Sequence, residues 1–152
     1  MNKLLTKTKI INIAGFLTLA IFFLSDRWLK HFSLGGLNFV IIPKFLNFHF
    51  FANRKIAFSL PLEGVWLTIV IALIVSLLVF YFFRFYSQLN KLTLFGLGAI
   101  ITGALSNLSD RLFFGFVIDY LDLSHFTIFN LADILIVSGT IFLFWGLFKK
   151  DR

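Results

Sequence analysis

The groups in this chain best suited to catalysis are seven acidic side chains: Asp26, Glu63, Asp110, Asp119, Asp122, Asp133 and Asp151. There is no cysteine, which excludes thiol nucleophiles, disulfides and cysteine metal sites. The three histidines, His31, His49 and His125, lack the spacing of metal ligands, so we expect neither a metal nor another cofactor. Two carboxylates that share one proton can activate water and protonate a leaving group without a metal. Acid–base chemistry of this kind therefore becomes available if the fold brings two of these acids together.

The elements that must position these acids are too apolar for a water-soluble domain. Hydrophobic residues make up 59% of the 152 residues and charged residues 14%, against roughly 25% charged residues in a typical soluble domain. The mean hydropathy is +0.94. Uncharged stretches in lipid must be helical, because the backbone has to satisfy its own hydrogen bonds there. We predict one membrane domain, 1–152, with spans at about 9–29, 63–83, 92–111 and 130–148 and outer segments at 31–62 and 112–128.

The longer outer segment carries a strand-like pattern. Phe48 and Phe50 alternate with Asn47 and His49, a period of two that is typical of a strand with one apolar face. The predicted fold class is therefore an all-α integral membrane protein with four transmembrane helices. A small extracytoplasmic β-sheet between helices 1 and 2 is expected to lie on the outer membrane surface as a cradle.

Basic residues predict the orientation of the spans. Four spans place both termini on one side, which carries eight of the 14 Lys and Arg residues. Because cytoplasmic loops are enriched in these residues, both termini are predicted to be cytoplasmic. The net charge of +7 is then explained by membrane anchoring, and no nucleic acid partner is expected. Residues 1–24 could alternatively be a signal peptide, but they lack a small-x-small cleavage site, which favours a retained first helix.

Helical rise places acids from three helices at about one depth. Counted from the basic residue at the inner end of each helix, Asp26, Asp110 and Asp133 lie 17, 19 and 16 residues along the chain. At 1.5 Å per residue these separations are roughly 26, 28 and 24 Å. Asp119, nine residues after Asp110, can fold back to the same depth. Acids within apolar helices are costly and indicate function by default.

Each acid also has a purely structural interpretation. Asp26 and Lys30 are four residues apart and could form a simple ion pair at a helix end. Asn130 could cap the fourth helix with Asp133 as its partner three residues later. Asp122 is interpreted as a solvated loop residue. Four acids at one depth are harder to explain as a set of unrelated caps and pairs.

Five short motifs follow one another in a particular order along the chain. They are Asp26 to Lys30, Asn53 to Ser59, Thr102 to Arg111, Val117 to Tyr120 and Phe129 to Asp133. In this order they resemble the lipoprotein signal peptidases (signal peptidase II), the membrane aspartyl peptidases of bacteria. Three positions depart from the pattern, because Lys55, Thr102 and Ser106 stand where the family usually has glycine.

The resemblance implies an aspartic endopeptidase that removes the signal peptide from diacylglyceryl-modified prolipoproteins and cleaves just before the lipidated cysteine. Asp119 and Asp133 would be catalytic. Asp110 would orient Arg111 or a neighbouring helix, while Asp26 and Lys30 would brace the first helix. The full set implied to bind substrate or support the site is Asn53, Gly103, Asn107, Arg111, Asn130, Ala132, Asp26, Lys30 and Asp110.

The same resemblance implies the surroundings of the protein. Its partners would be prolipoprotein signal peptides, membrane lipid and globomycin-type inhibitors, and we expect a monomer. It would lie in the bacterial cytoplasmic (inner) membrane with the active site near the outer face. Two alternatives remain open at this point, namely a small transporter or substrate-capture subunit, and a catalytically inactive relative.

Overall fold

The computed structural model describes residues 2–54, 64–124 and 126–149. It is mostly helical, with one small antiparallel sheet. The helices are α1 (Asn2–Leu34), α2 (Gly64–Phe85), α3 (Lys91–Phe114) and α4 (Leu131–Phe148), and the strands are β1 (Phe39–Ile42), β2 (Leu46–Asn53), β3 (Val117–Leu123) and β4 (Thr127–Phe129). The first two strands connect α1 to α2, and the last two connect α3 to α4.

Within the described ranges, α2, α3 and α4 are the three helices found long and apolar enough to cross a membrane. They begin and end within a few residues of the predicted spans. The first helix starts earlier and ends later than the predicted span, over Asn2–Leu34 rather than 9–29. Its crossing of the membrane, and hence the count of four spans, stays a prediction.

The third helix is the centre of the bundle and packs against α1, α2 and α4. Its contact with α4 depends on glycine. A Cβ atom added to Gly96 would lie 2.5 Å from the backbone nitrogen of Leu143, and one added to Gly139 would lie 2.7 Å from the carbonyl oxygen of Gly96. No side chain fits at such distances, so the two backbones approach closely, as small residues allow in membrane helices. This contact holds α3 and α4, which carry most of the polar site, in a fixed register.

The sheet has the strand order β1-β2-β3-β4 and joins the two connecting segments. The central pair is β2 and β3, with Phe51 opposite Asp119 and Asn53 opposite Val117. The prediction of a sheet confined to the segment between the first two helices is therefore wrong in extent. Residues 117–120 are buried on both faces, so β3 lacks the alternation of apolar and polar residues that marks a half-exposed strand.

The predicted apolar face of β2 is interrupted. Phe48 is 3% exposed and packs on Phe39 and Tyr120, with ring centroids 5.0 and 5.3 Å away. Phe50, expected on the same face, is exposed. The pairing register shifts between Phe48 and Phe51, and an extra residue in a strand re-aims the side chains that follow it. The alternation in the sequence could not reveal this shift.

Candidate active site

A tight turn after α3 brings Asp119 back to the helices. Gly115 ends the helix in the left-handed conformation, with φ of 78°, and its N–H donates to the carbonyl of Arg111. Glycine adopts this conformation without a Cβ clash. The strand that follows is tied to α3 by a hydrogen bond of 3.2 Å from the backbone N–H of Ile118 to Asp110. The prediction that Asp119 folds back to the level of the helical acids is thus confirmed.

The carboxylate of Asp119 is buried and receives two amide hydrogen bonds. Asn53 Nδ2 of β2 donates to Oδ2 over 2.8 Å, and Asn130 Nδ2 donates to Oδ1 over 2.7 Å. Burial raises the pKa of Asp119 to about 7; the hydrogen bond from Asn53 opposes this shift, and the nearby carboxylate of Asp133 adds to it. A carboxyl group that exchanges its proton near neutral pH suits acid–base chemistry.

The second acid, Asp133, lies in the first turn of α4 and completes a capping box. The side chain of Asn130 accepts from the backbone N–H of Asp133, and Asp133 Oδ2 accepts from the backbone N–H of Asn130 over 3.2 Å. The capping interpretation of these two residues is therefore confirmed. It is not the whole role of Asp133, because its Oδ1 also accepts a bond of 2.8 Å from Asn107 Nδ2 on α3.

Both carboxylates line one pocket of about 390 Å³ at the sheet end of the bundle. Four other polar residues line it, and the remaining walls are apolar side chains of β3, β4 and α4. The polar residues are Asn53, Asn107, Arg111 and Thr127, and the apolar ones are Val117, Ile128, Phe129, Ile136 and Val137. The pocket therefore combines paired acids with an apolar wall.

A buried ionic cluster lies beside the pocket, around Lys30. Its Nζ is 3.0 Å from Asp26 Oδ2, 2.7 Å from Asp110 Oδ2 and 2.9 Å from Asn107 Oδ1. Lys30 and both carboxylates have no exposed surface, and Arg27 also pairs with Asp110. Asp26 and Lys30 are thus not a simple pair at an exposed helix end. Asp110 makes its ion pairs with Arg27 and Lys30 of α1, and its expected role of orienting Arg111 or a helix neighbour stays a prediction.

Three further donors converge on Asp26. Ser106 Oγ donates over 2.6 Å, the Tyr120 hydroxyl over 2.9 Å and the Ala132 N–H over 3.2 Å. Burial raises the pKa of Tyr120, which stays a neutral donor here. Neither Ser106 nor Tyr120 was predicted as a site residue. The available signal was that Ser106 precedes Asp110 by four residues, which places both on one face of the helix.

The predicted site residues Gly103 and Ala132 have no polar side chains and act through packing. A Cβ atom on Gly103 would collide with the carbonyl oxygen of Ala132 and lie 2.9 Å from the Ile136 side chain. Ala132 has no exposed surface. Together these residues let α3 and α4 meet beside Asp133, so that Asn107 can reach it.

The other charged and histidine side chains singled out in the sequence lie outside the pocket or outside the residues that the structure describes. Asp122 is on β3, and its partly exposed side chain has Oδ2 3.2 Å from His49 Nε2, so its interpretation as a loop residue is wrong. Among the residues that the structure describes, no group of three His, Cys, Asp or Glu side chains could hold a metal ion. Lys55, Glu63 and His125 fall outside those residues.

Membrane-length helices, with one carboxylate from β3 and one from α4 in a single pocket at the end of the bundle, fit the class of membrane-embedded aspartic hydrolases. The family model described as signal peptidase (SPase) II matches residues 18–149. The chain belongs to the signal peptidase II family, and it is a protease of the aspartic type that this family represents. Neither a transporter nor an inactive relative is favoured.

Individual relatives agree with this assignment. The lipoprotein signal peptidase of Clostridium novyi is 34% identical, over 84% of this chain and 92% of the relative. That of Clostridioides difficile is 36% identical, over 79% and 82%. Two solved structures, described as bacterial membrane enzymes determined by the in meso method, share the fold with TM-scores of 0.78 and 0.75. They are 24% and 25% identical and cover 91% of this chain and 93% and 94% of their own.

Proposed function

We propose that this chain removes the signal peptide from diacylglyceryl-modified prolipoproteins by cleaving the peptide bond just before the lipidated cysteine. The observation that carries the proposal is the shared pocket of Asp119 and Asp133. The first comes from a strand and the second from a helix, and each is held by amide donors. The membership of the family supplies the substrate class.

The proposed reaction uses the two carboxylates as one unit with a single proton. The ionised carboxylate takes a proton from a water molecule, which attacks the scissile carbonyl carbon. The protonated carboxyl donates a hydrogen bond to the carbonyl oxygen and then gives its proton to the leaving amine. Asn53 and Asn130 donate to Asp119, and Asn107 donates to Asp133. These donors fix the orientation of both carboxylates.

Substrate contacts are assigned to the polar side chains that share the pocket with the acids. Arg111, Asn53 and Asn107 have donors that suit the peptide carbonyls on either side of the scissile bond. The apolar wall, including Ile136 and Val137 of α4, suits the hydrophobic part of a signal peptide. Globomycin-type inhibitors are proposed to occupy the same pocket.

We further propose that α1 is a fourth span and that 1–152 is one monomeric domain in the bacterial inner membrane. Both termini would be cytoplasmic and the pocket would lie near the outer face. The sheet would cradle the substrate while resting on lipid. All four residues of β1 are exposed and apolar, which supports a lipid contact, and a diacylglyceryl group in the outer leaflet would hold the adjacent peptide bond at the height of the pocket.

The substrate proposal is tested with the purified protein in lipid vesicles and one prolipoprotein precursor in two forms. The diacylglyceryl-modified form is expected to be cut at a single bond, leaving the modified cysteine as the new N-terminus. The unmodified form is expected to stay intact, because without its lipid the bond is not held at the pocket. Mass spectrometry of both products is the measurement. Cleavage of the two forms at equal rates, or at another bond, would overturn the proposal.

The reaction is expected to slow as the pH rises above about 7. The pKa of Asp119 is raised to about 7, so the pair loses its shared proton on the alkaline side, and the apparent pKa belongs to the pair. The measurement is the single-turnover rate in detergent from pH 5 to 9. A rate that stays constant or increases up to pH 9 would contradict a shared proton.

A further inference from the structure

We propose that Lys30 is a positioning residue for the reaction: it fixes the orientation of the Asn107 amide so that its N–H faces Asp133. This inference rests on the proposed catalytic pair. It assigns to Lys30 an effect on the reacting groups beyond bracing the first helix.

The first step is the chain of contacts from Lys30 to the pocket. Lys30 Nζ is 2.9 Å from Asn107 Oδ1, and Asn107 Nδ2 is 2.8 Å from Asp133 Oδ1. An ammonium group has donors and no acceptor, so the Asn107 atom that faces it must be the oxygen. A rotation of this amide by half a turn would set N–H against ammonium and oxygen against carboxylate. Because Lys30 has no exposed surface, water cannot readily compensate for that rotation.

A second donor confirms which atom of Asn107 is the oxygen. Asn130 Nδ2 is 3.1 Å from Asn107 Oδ1 and 2.7 Å from Asp119 Oδ1. The orientation of Asn130 is itself fixed, because its Oδ1 accepts the backbone N–H of Asp133 in the helix cap. The Asn107 oxygen thus receives donors from two sides. With Lys30 in place, each aspartate of the pair faces an amide N–H.

Arg27 provides a matched comparison on the same helix. Both Arg27 and Lys30 are cations that pair with Asp110. Arg27 also bonds to Ser106, whereas Lys30 continues to Asn107. Loss of either cation removes a positive charge from the same cluster. If Lys30 acted only as a structural charge, loss of Lys30 and loss of Arg27 would both lower stability, and neither would slow the chemical step more than the other.

The first experiment compares Lys30→Met with Arg27→Met, both purified in detergent and assayed well below their unfolding temperatures. We expect kcat of Lys30→Met to fall about 10- to 100-fold with little change in KM, since a misdirected group near the reacting atoms costs about that much. Arg27→Met should keep kcat within about threefold. Equal falls in kcat, or a change of KM alone in Lys30→Met, would overturn the proposal.

The second experiment is a double-mutant cycle with Asn107→Ala. If Lys30 acts through the Asn107 amide, adding Lys30→Met to Asn107→Ala should lower kcat less than about twofold further, because the amide is already absent. Effects that multiply would show that Lys30 acts by another route. If Lys30→Met does not fold, the cycle is run with Asp26→Asn in every variant, which removes one buried negative charge and restores the charge balance of the cluster.

Failure of the positioning role of Lys30 can be distinguished from failure of the proposed function. If Asp119→Asn and Asp133→Asn keep their turnover, the catalytic pair itself is wrong. If both of those variants are inactive while Lys30→Met and Arg27→Met lose equal activity, the positioning role alone fails.

Discussion

Replacing either Asp119 or Asp133 with asparagine is expected to lower turnover of a diacylated prolipoprotein by at least about 10³-fold. General acid–base catalysis by one group contributes about 10²- to 10⁴-fold, and here each acid is needed by the other, because the two share one proton. An asparagine keeps the size of the side chain but cannot take a proton from water. The measurement is kcat for each variant and for the double variant, which should be little worse than either single one.

The matched control is Asp122→Asn on the same strand. Asp122 is three residues from Asp119, so it points to the opposite face of β3, and it pairs with His49. Turnover of this variant should stay within about twofold, because Asp122 is not among the residues that line the pocket. Near-normal turnover in Asp119→Asn would show that the pocket acids are not the catalytic groups.

Loss of fold is not expected to explain an inactive Asp119→Asn. The pKa of Asp119 is about 7 in the folded protein, against an ordinary value of 3.8. Between these pH values the folded state holds a proton that the unfolded chain releases, so stability from this group is present below pH 3.8 and is lost as pH rises through 7. An asparagine has no such charge to bury, but its amide N–H would face one of the two donors, Asn53 or Asn130, that bond to Asp119. Turnover of the variant is therefore measured well below its own unfolding temperature, so that loss of fold does not account for loss of activity.

Replacing Asp26 with alanine is expected to lower the free energy of unfolding by about 3–5 kcal/mol. The change leaves three buried donors without their acceptor: the hydroxyls of Ser106 and Tyr120 and the N–H of Ala132. It also removes one of the two carboxylates around the buried ammonium of Lys30. Unfolding in mixed detergent micelles, followed by circular dichroism, measures the effect.

The control for this prediction is Asp122→Ala. Its carboxylate is 25% exposed and its partner His49 30% exposed, so the change should be within about 1 kcal/mol, as for other partly solvated pairs. An Asp26→Ala protein as stable as Asp122→Ala would mean that the buried cluster contributes nothing net to the fold.

Much of this molecule could be predicted from its sequence alone. Apolar stretches bounded by charge marked α2, α3 and α4 to within a few residues, because the backbone in lipid must satisfy its own hydrogen bonds. The predicted first span was shorter than α1 at both ends. Counting residues along those helices brought Asp26, Asp110 and Asp133 to one depth. The order of the five motifs selected Asp119 as the fourth acid of the site.

Other features depend on contacts between elements distant in the chain. The register shift in β2 and the burial of β3 on both faces have no local signal, because both arise from pairing between the two connecting segments. From the sequence alone, Ser106 is recognisable only as a small residue in an apolar helix. Its role as a donor to Asp26 depends on the crossing of α1 and α3.

Residue type and spacing determined which groups are available for chemistry and at what relative height the acids on helices lie, because helical rise is fixed by local backbone geometry. Only the tertiary structure decided what each group touches. It joined Asp119 and Asp133 in one pocket, it made Asn130 both a helix cap and a donor to Asp119, and it buried Lys30 against two carboxylates and one amide. The direction of a hydrogen bond depends on which atoms lie a few ångströms apart in space. The separation of two residues along the sequence does not specify which atoms these are.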